Sequence, residues 1–338
     1  MATRSLLALT LCGFPLAHGE PAPESPGSPD AADAASATRQ SRDDAWWTGP
    51  LLAASAGTLS PGHFLIEPYV YDAIPRGHYD NEGRRQSTPH ANNFGSQSYV
   101  LYGLLDRLSV GMIPRFGFSK QSEGKDSSGV GIGDLTLQAQ YGLTRFQEGR
   151  WVPSTAFVFQ ETLPTGKYDR LGNRPADGLG SGVYSTTLAL YSQSFFWMPN
   201  GRILRARLDV SYSIEGSGTV RDVSVYGTSQ GFRGRARPGN VSVANAAAEY
   251  SVTRNWVVAL DAVYEHDGNT HVHGFYQGSL TPATVELNSG PGHTWSLAPA
   301  IEYNFNSRIG VIAGAKLTVA GQNATAVVIP VAAVNIVI

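Results

Sequence analysis

The sequence predicts an all-β fold: a transmembrane, outer-membrane, antiparallel up-and-down β-barrel of about twelve strands. Apolar and polar residues alternate almost without interruption from His63 to Ile338. Most alternating segments run about 10 to 13 residues, the length a tilted strand needs to cross a bilayer, whereas soluble strands average nearer five or six. The connections then alternate between short and long, which places short turns at one rim and long loops at the other.

The strands are read at 63–72, 96–105, 108–118, 132–144, 152–163, 182–194, 202–214, 241–253, 256–267, 292–304, 308–320 and 324–338. LDRLS, TRFQEGR, FWMPNGR, VTRN and NFNSR are the tight turns. Longer connections lie near 73–95, 119–131, 164–181, 215–240 and 268–291, and only the hairpin AGQNA breaks the long side of the pattern. An even strand count leaves both ends of the barrel on the short-turn, periplasmic side.

Each strand has one apolar and one polar set. In 133–143 Leu135, Leu137, Ala139, Tyr141 and Leu143 oppose Asp134, Thr136, Gln138, Gln140 and Gly142. The outward rings gather near strand ends. Phe116, Phe118, Phe159, Tyr184, Tyr212, Tyr264 and Trp295 lie toward the long loops; Tyr141, Tyr250, Trp256, Tyr303 and Phe305 lie toward the short turns. Two aromatic rows bounding an apolar band are the girdles of a barrel in lipid. A soluble sandwich would place its rings mid-strand, in the core.

Ahead of the barrel, residues 1–19 read as a secretory signal, with Arg4 before an apolar run from Ser5 to Leu16 and a small-residue cleavage site at Ala17-His18-Gly19. The single cysteine, Cys12, falls inside that run. Bulky Leu11 before it argues against a lipid anchor, and the mature chain is expected to have no disulfide. Residues 20–62 read as an acidic, Pro- and Ala-rich leader that ends in WWTGPLLAASAGTLSPG, apolar but not alternating. Net charge is −2, with no basic excess to suggest nucleic acid. The absence of an apolar run of about 18 residues argues against membrane helices.

GIGDLTLQAQYGL, PSTAFVFQETLPTGKYD and GLGSGVYSTTLALYSQ, in that order, resemble the phenol meta-pathway degradation family, whose members are regarded as outer-membrane transporters. The resemblance covers roughly 63 to 338 and is strongest over 130 to 215; WTGPLLAASAGTLSPGHFLIEPYVYD also resembles the lead-in of some relatives. It implies a channel or transporter for small hydrophobic or aromatic molecules.

Strand parity turns Glu67, Arg115, Asp134, Arg205, Arg207, Asp209, Glu249, Asp261, Glu265, Glu302 and Lys316 into the lumen. They form either a charged constriction, with Arg115, Arg205 and Arg207 its cationic part, or a salt-bridge network that stiffens a narrow barrel. Trp46, Trp47, Leu51 and Leu52 are the candidate plug residues, because two tryptophans in a free linker would be costly to expose. The alternative for that stretch is a linker that touches only the rim.

Arg233, Arg235 and Arg237 in SQGFRGRARPG could grip lipopolysaccharide phosphates or serve as a solvated loop face. His266, His271 and His273 lack a firmly placed second ligand group, so no metal or other cofactor is expected. No GxSxG elbow occurs, and His293 is the one outward strand histidine beyond the first strand, which disfavours an outer-membrane lipid-modifying enzyme. A structural or adhesive barrel is the remaining alternative. The expected partners are outer-membrane lipid and lipopolysaccharide, the barrel-assembly machinery that favours an apolar terminus such as Ile338, and a small-molecule solute. The expected location is the outer membrane of a Gram-negative cell.

Overall fold

The computed structural model describes residues 39–277 and 284–338. The signal sequence, Cys12 and most of the acidic leader lie outside the described residues. In chain order the strands are β1 (Phe64–Tyr79), β2 (Arg85–Gln86), β3 (Ala91–Leu105), β4 (Leu108–Ile113), β5 (Arg115–Gln121) and β6 (Gly131–Ile132). There follow β7 (Leu135–Thr144), β8 (Ser154–Leu163), β9 (Ser185–Trp197), β10 (Ile203–Glu215), β11 (Gly218–Arg221) and β12 (Phe232–Arg237). The series ends with β13 (Val241–Ser251), β14 (Trp256–Asp267), β15 (His271–Tyr276), β16 (Thr284–Asn288), β17 (Gly292–Asn304), β18 (Ile309–Gln322) and β19 (Ala324–Val337).

Twelve of these units form the wall, counting β4 and β5, which meet at Pro114, as one stave. Neighbouring staves pair antiparallel, and the sheet closes because β1 pairs with both β19 and β3. Closure removes every edge that lipid could not hydrogen-bond. At the seam Leu65 lies opposite both Val337 and Leu101.

Alternation fixes the register. Along β7 Thr136, Gln138 and Gln140 are buried in the lumen while Leu137, Tyr141 and Leu143 are exposed on the outer surface. A slip of one residue would turn that polar set outward, and an arginine so turned costs roughly 2–4 kcal/mol at the bilayer midplane. The outer rings pack against one another, tilted, across staves at both ends of the apolar band. Tyr264 and Trp295 lie 4.7 Å apart toward the long loops, as do Trp256 and Tyr303 toward the short turns.

Two features depart from the predicted boundaries. β1 continues to Tyr79 rather than stopping at 72, and β3 begins at Ala91 rather than 96. Pro75 is tolerated because the β1–β3 ladder ends at Ala73–Asn93, which leaves Pro75 paired with β19 alone, beside a register shift at Gly77. The 215–240 and 268–291 connections are not plain loops either. Between them they supply β11, β12, β15 and β16, a separate four-stranded sheet that rises above β10, β13, β14 and β17.

Candidate functional site in the barrel lumen

The centre of the lumen is occupied by the chain's own residues 45–59. Leu51, Leu52 and Leu59 are buried against Leu65, Tyr69, Tyr99, Val243, Val263 and Ile312 of the wall. Ala54 and Ala56 pack on Ala156, Val158, Ala189 and Tyr191 on the other side. This stretch forms no strand or helix, so its buried N–H groups must find acceptors elsewhere. They find them on inward side chains of the wall.

Glu302 Oε2 accepts the N–H groups of Thr48 at 2.7 Å and Gly49 at 3.1 Å. Asp261 accepts those of Leu51, Leu52 and Ala53 at 3.0, 3.2 and 2.8 Å. Asp209 takes that of Ala54 at 2.5 Å, and Ser109 Oγ that of Leu59 at 2.8 Å. Carbonyls are served in return: Arg207 donates to Ala53 O at 3.0 Å, and Gln140 to Ser55 O and Gly57 O at 2.9 and 2.7 Å. Three carboxylates on three staves thus hold six consecutive or near-consecutive amides of one segment.

Below this cradle the segment is fastened at the short-turn rim. Asn304 donates to Trp46 O at 3.1 Å and Trp46 N–H donates to Arg254 O at 3.1 Å. Arg254 lies 4.6 Å from the Trp46 ring and Arg205 4.5 Å from that of Trp47, each a cation over a π face. Gln40 bonds Ile203 and Ser251, and its carbonyl accepts from Trp197 Nε1 at 2.8 Å.

The other predicted lumen residues divide into groups. Arg205 and Arg207 both bind the fully buried Glu249, Arg205 through Nε at 2.6 Å and Nη2, Arg207 through Nε at 3.0 Å. Lys316 lies 3.5 Å from Glu265, and Glu67 accepts from Asn335 at 3.1 Å. Arg115 stands apart from Arg205 and Arg207, on β5 opposite Gln97 of β3.

Asp134 is placed at the long-loop mouth. It accepts from Gly166 N–H at 2.9 Å and from Ser181 through both N–H and Oγ at 2.7 Å. This draws the TGKY and GSG stretches together, with Gly166 against Gly180. A Cβ on Gly166 would lie 2.7 Å from Gly180 Cα, so a larger residue has no room. Tyr226 donates to Ser181 O and Tyr168 to Thr219 O, extending the clasp to the outer sheet. Outside the membrane band, the N–H of Ser128 holds the Asp177 carboxyl below the usual range, and Arg233 does the same for Asp222.

Sequence reasoning confined to ionisable residues missed Gln40, Ser109, Gln140 and Asn304. Three of them were legible as polar residues on inward strand positions. Between the apex of the segment and the wall a cavity of about 20 Å³ is lined by residues that include Leu52, Tyr191, Asp209 and Asn245. It has room for about one water.

These features define the class: a closed twelve-stave β-barrel of the outer-membrane type whose lumen is filled by the segment that precedes the wall. The chain belongs to the family described as "Putative MetA-pathway of phenol degradation", whose model matches residues 73–326. It is similar to an outer membrane channel from Pseudomonas putida F1, with a TM-score of 0.62 and 17% identity over 84% of this chain and 98% of that one. Fainter likenesses are to the β domain of the Bordetella autotransporter BrkA and to the Pseudomonas putida toluene transporter TodX. For BrkA the TM-score is 0.43, with 10% identity over 82% of this chain and 99% of that one. For TodX it is 0.40, with 13% identity over 81% and 88%. No curated protein matches the chain.

Proposed function

We propose that the protein is a channel admitting small hydrophobic or aromatic molecules across the outer membrane, with residues 45–59 as its removable closure. The observation that carries this is how that segment is bound. Its amides are held by the side chains of Asp209, Asp261 and Glu302, so it can shift without breaking a ladder bond of the wall. The family's description in terms of phenol degradation supports an aromatic solute class.

In this reading Trp46 and Trp47 anchor the closure at the periplasmic rim while Leu51 and Leu52 fill the constriction. Arg205, Arg207 and Glu249 form a stiffening network beneath it rather than an open selectivity ring, because Glu249 and Ala53 O occupy both guanidinium groups. The domain plan is a cleaved signal at 1–19, a leader and closure over 20–62, and the barrel from 63 to 338. Assembly by the barrel-assembly machinery and contact with lipopolysaccharide belong to the same reading.

The test is uptake into proteoliposomes. Benzoate-sized and phenol-sized solutes should enter faster than sugars of similar mass. Equal entry, or none above protein-free vesicles, contradicts the proposed solute class.

A further inference from the structure

The outer sheet has two unlike faces. Val220, Phe232, Ala236 and Val272 are buried on one, packed with Tyr226. Tyr226 is tied through Ser181 to Asp134, an inward residue of the wall, so this packed face looks toward the barrel axis. The opposite face looks away from it.

That outer face carries Arg221, Arg233, Arg235 and Arg237 by strand parity. Register sets Arg221 opposite Arg233, Arg235 opposite His273 and Arg237 opposite His271. Like charges opposite one another on a sheet are unfavourable unless something neutralises them. Asp222 pairs with Arg233 at 2.9 Å. Among the described residues Arg221, Arg235 and Arg237 have no ion-pair partner within 4 Å. A chain of net charge −2 has therefore concentrated arginine on one surface, where four arginines outnumber the one strand carboxylate on that face, Glu286 opposite His273.

The height of this surface is set by the girdle. Tyr212, Tyr264 and Trp295 lie on the same staves, and Asn240, just after β12, donates to Tyr212 Oη at 2.8 Å. Girdle rings sit at headgroup level, so the arginines stand immediately above the outer leaflet and face sideways over it. Guanidinium groups match phosphate with paired, charge-assisted hydrogen bonds.

We infer that this arginine face of the outer sheet docks the phosphate groups of an outer-leaflet glycolipid beside the barrel. The inference rests on the outer-membrane reading given above and names the contact surface. The test uses the full chain in nanodiscs, with bound lipid counted by native mass spectrometry. The probes are bisphosphorylated lipid A, dephosphorylated lipid A and inorganic phosphate.

Wild-type protein should prefer the bisphosphorylated lipid, and R235Q/R237Q should weaken its retention by about fivefold per arginine. K120Q/K125Q, at the end of β5 and in the connection after it, should leave retention unchanged. Equal retention of both lipids by wild type, or undiminished retention by R235Q/R237Q, overturns the docking site. So does displacement of the lipid by inorganic phosphate at equal concentration, which would mark a free-anion site. A wild-type barrel that fails to enter bilayers refutes the outer-membrane reading instead, and the two failures are thereby distinct.

Discussion

Asp261 Oδ1 accepts the N–H of Ala53 at 2.8 Å across 208 residues of sequence, and the same carboxylate accepts those of Leu51 and Leu52. One wall side chain therefore organises the apex of the segment that fills the lumen. Each buried amide left without its acceptor costs about 1–3 kcal/mol. In Asp261→Ala the amides of 51–53 should exchange with deuterium at least tenfold faster, with the wall strands unchanged. Unchanged exchange at 51–53 would show that packing alone holds the segment.

Glu249 is the shared partner of two buried guanidinium groups. Removing one member of such a set strands the remaining charge, at a cost of roughly 3–5 kcal/mol. Glu249→Gln should lower the unfolding midpoint in phospholipid vesicles accordingly. Replacing all three by apolar residues (R205M/R207M/E249L) should restore most of the loss. A midpoint unmoved in Glu249→Gln would mean that water already reaches the pair.

The loop between β1 and β3 is gathered by Asp80, which accepts from the N–H groups of Arg84 and Glu82 and from the side chains of Arg84 and Gln86. The Arg84 N–H, then its guanidinium, hold the Asp80 carboxyl down at about 2. Because this lies below the ordinary value of about 3.9, the contribution is complete above that value and is lost as pH falls through about 2. A spin label at Glu82→Cys should stay ordered from pH 7 to about 4 and loosen between there and about pH 2. Asp80→Asn should be loose throughout. Loosening of the wild-type loop near pH 6 would assign its order to another group.

The outer surface is expected to meet hydrocarbon. In single-tryptophan variants, Trp256 and Trp295, half exposed on the wall, should be quenched by brominated lipids. Trp47, edge-on to Phe195 and under Arg205 inside the rim, should not. The reverse ranking would invert the assignment of faces.

Much of the wall was legible because a barrel reads out its geometry at every residue. Leu137 and Gln138 are assigned to opposite sides by parity alone, and counting back from the short turn at 253–255 puts Arg205 on a strand neighbouring Glu249, its partner in the register. The path of residues 45–59 was not legible, since it follows no period and its amides are fixed by wall side chains 50 to 254 residues away in sequence. Trp46 and Leu52 hinted at burial without indicating against what. The outer sheet was missed for another reason. GFRGRAR alternates glycine and alanine with arginine, and without bulky apolar residues on one side the pattern reads as loop, although Phe232 and Ala236 do pack against Val272. Parity assigns Asp134 to the inward set, but its partners Gly166 and Ser181 belong to connections whose fold no periodicity encodes.

The most direct test is single-channel conductance in planar bilayers, comparing the full chain with a variant that lacks residues 40–59. If the segment is the closure, the full chain should be silent or conduct in brief small steps, while the deletion should give a larger, sustained conductance. Identical traces from both, with the deleted barrel still folded, would contradict the account.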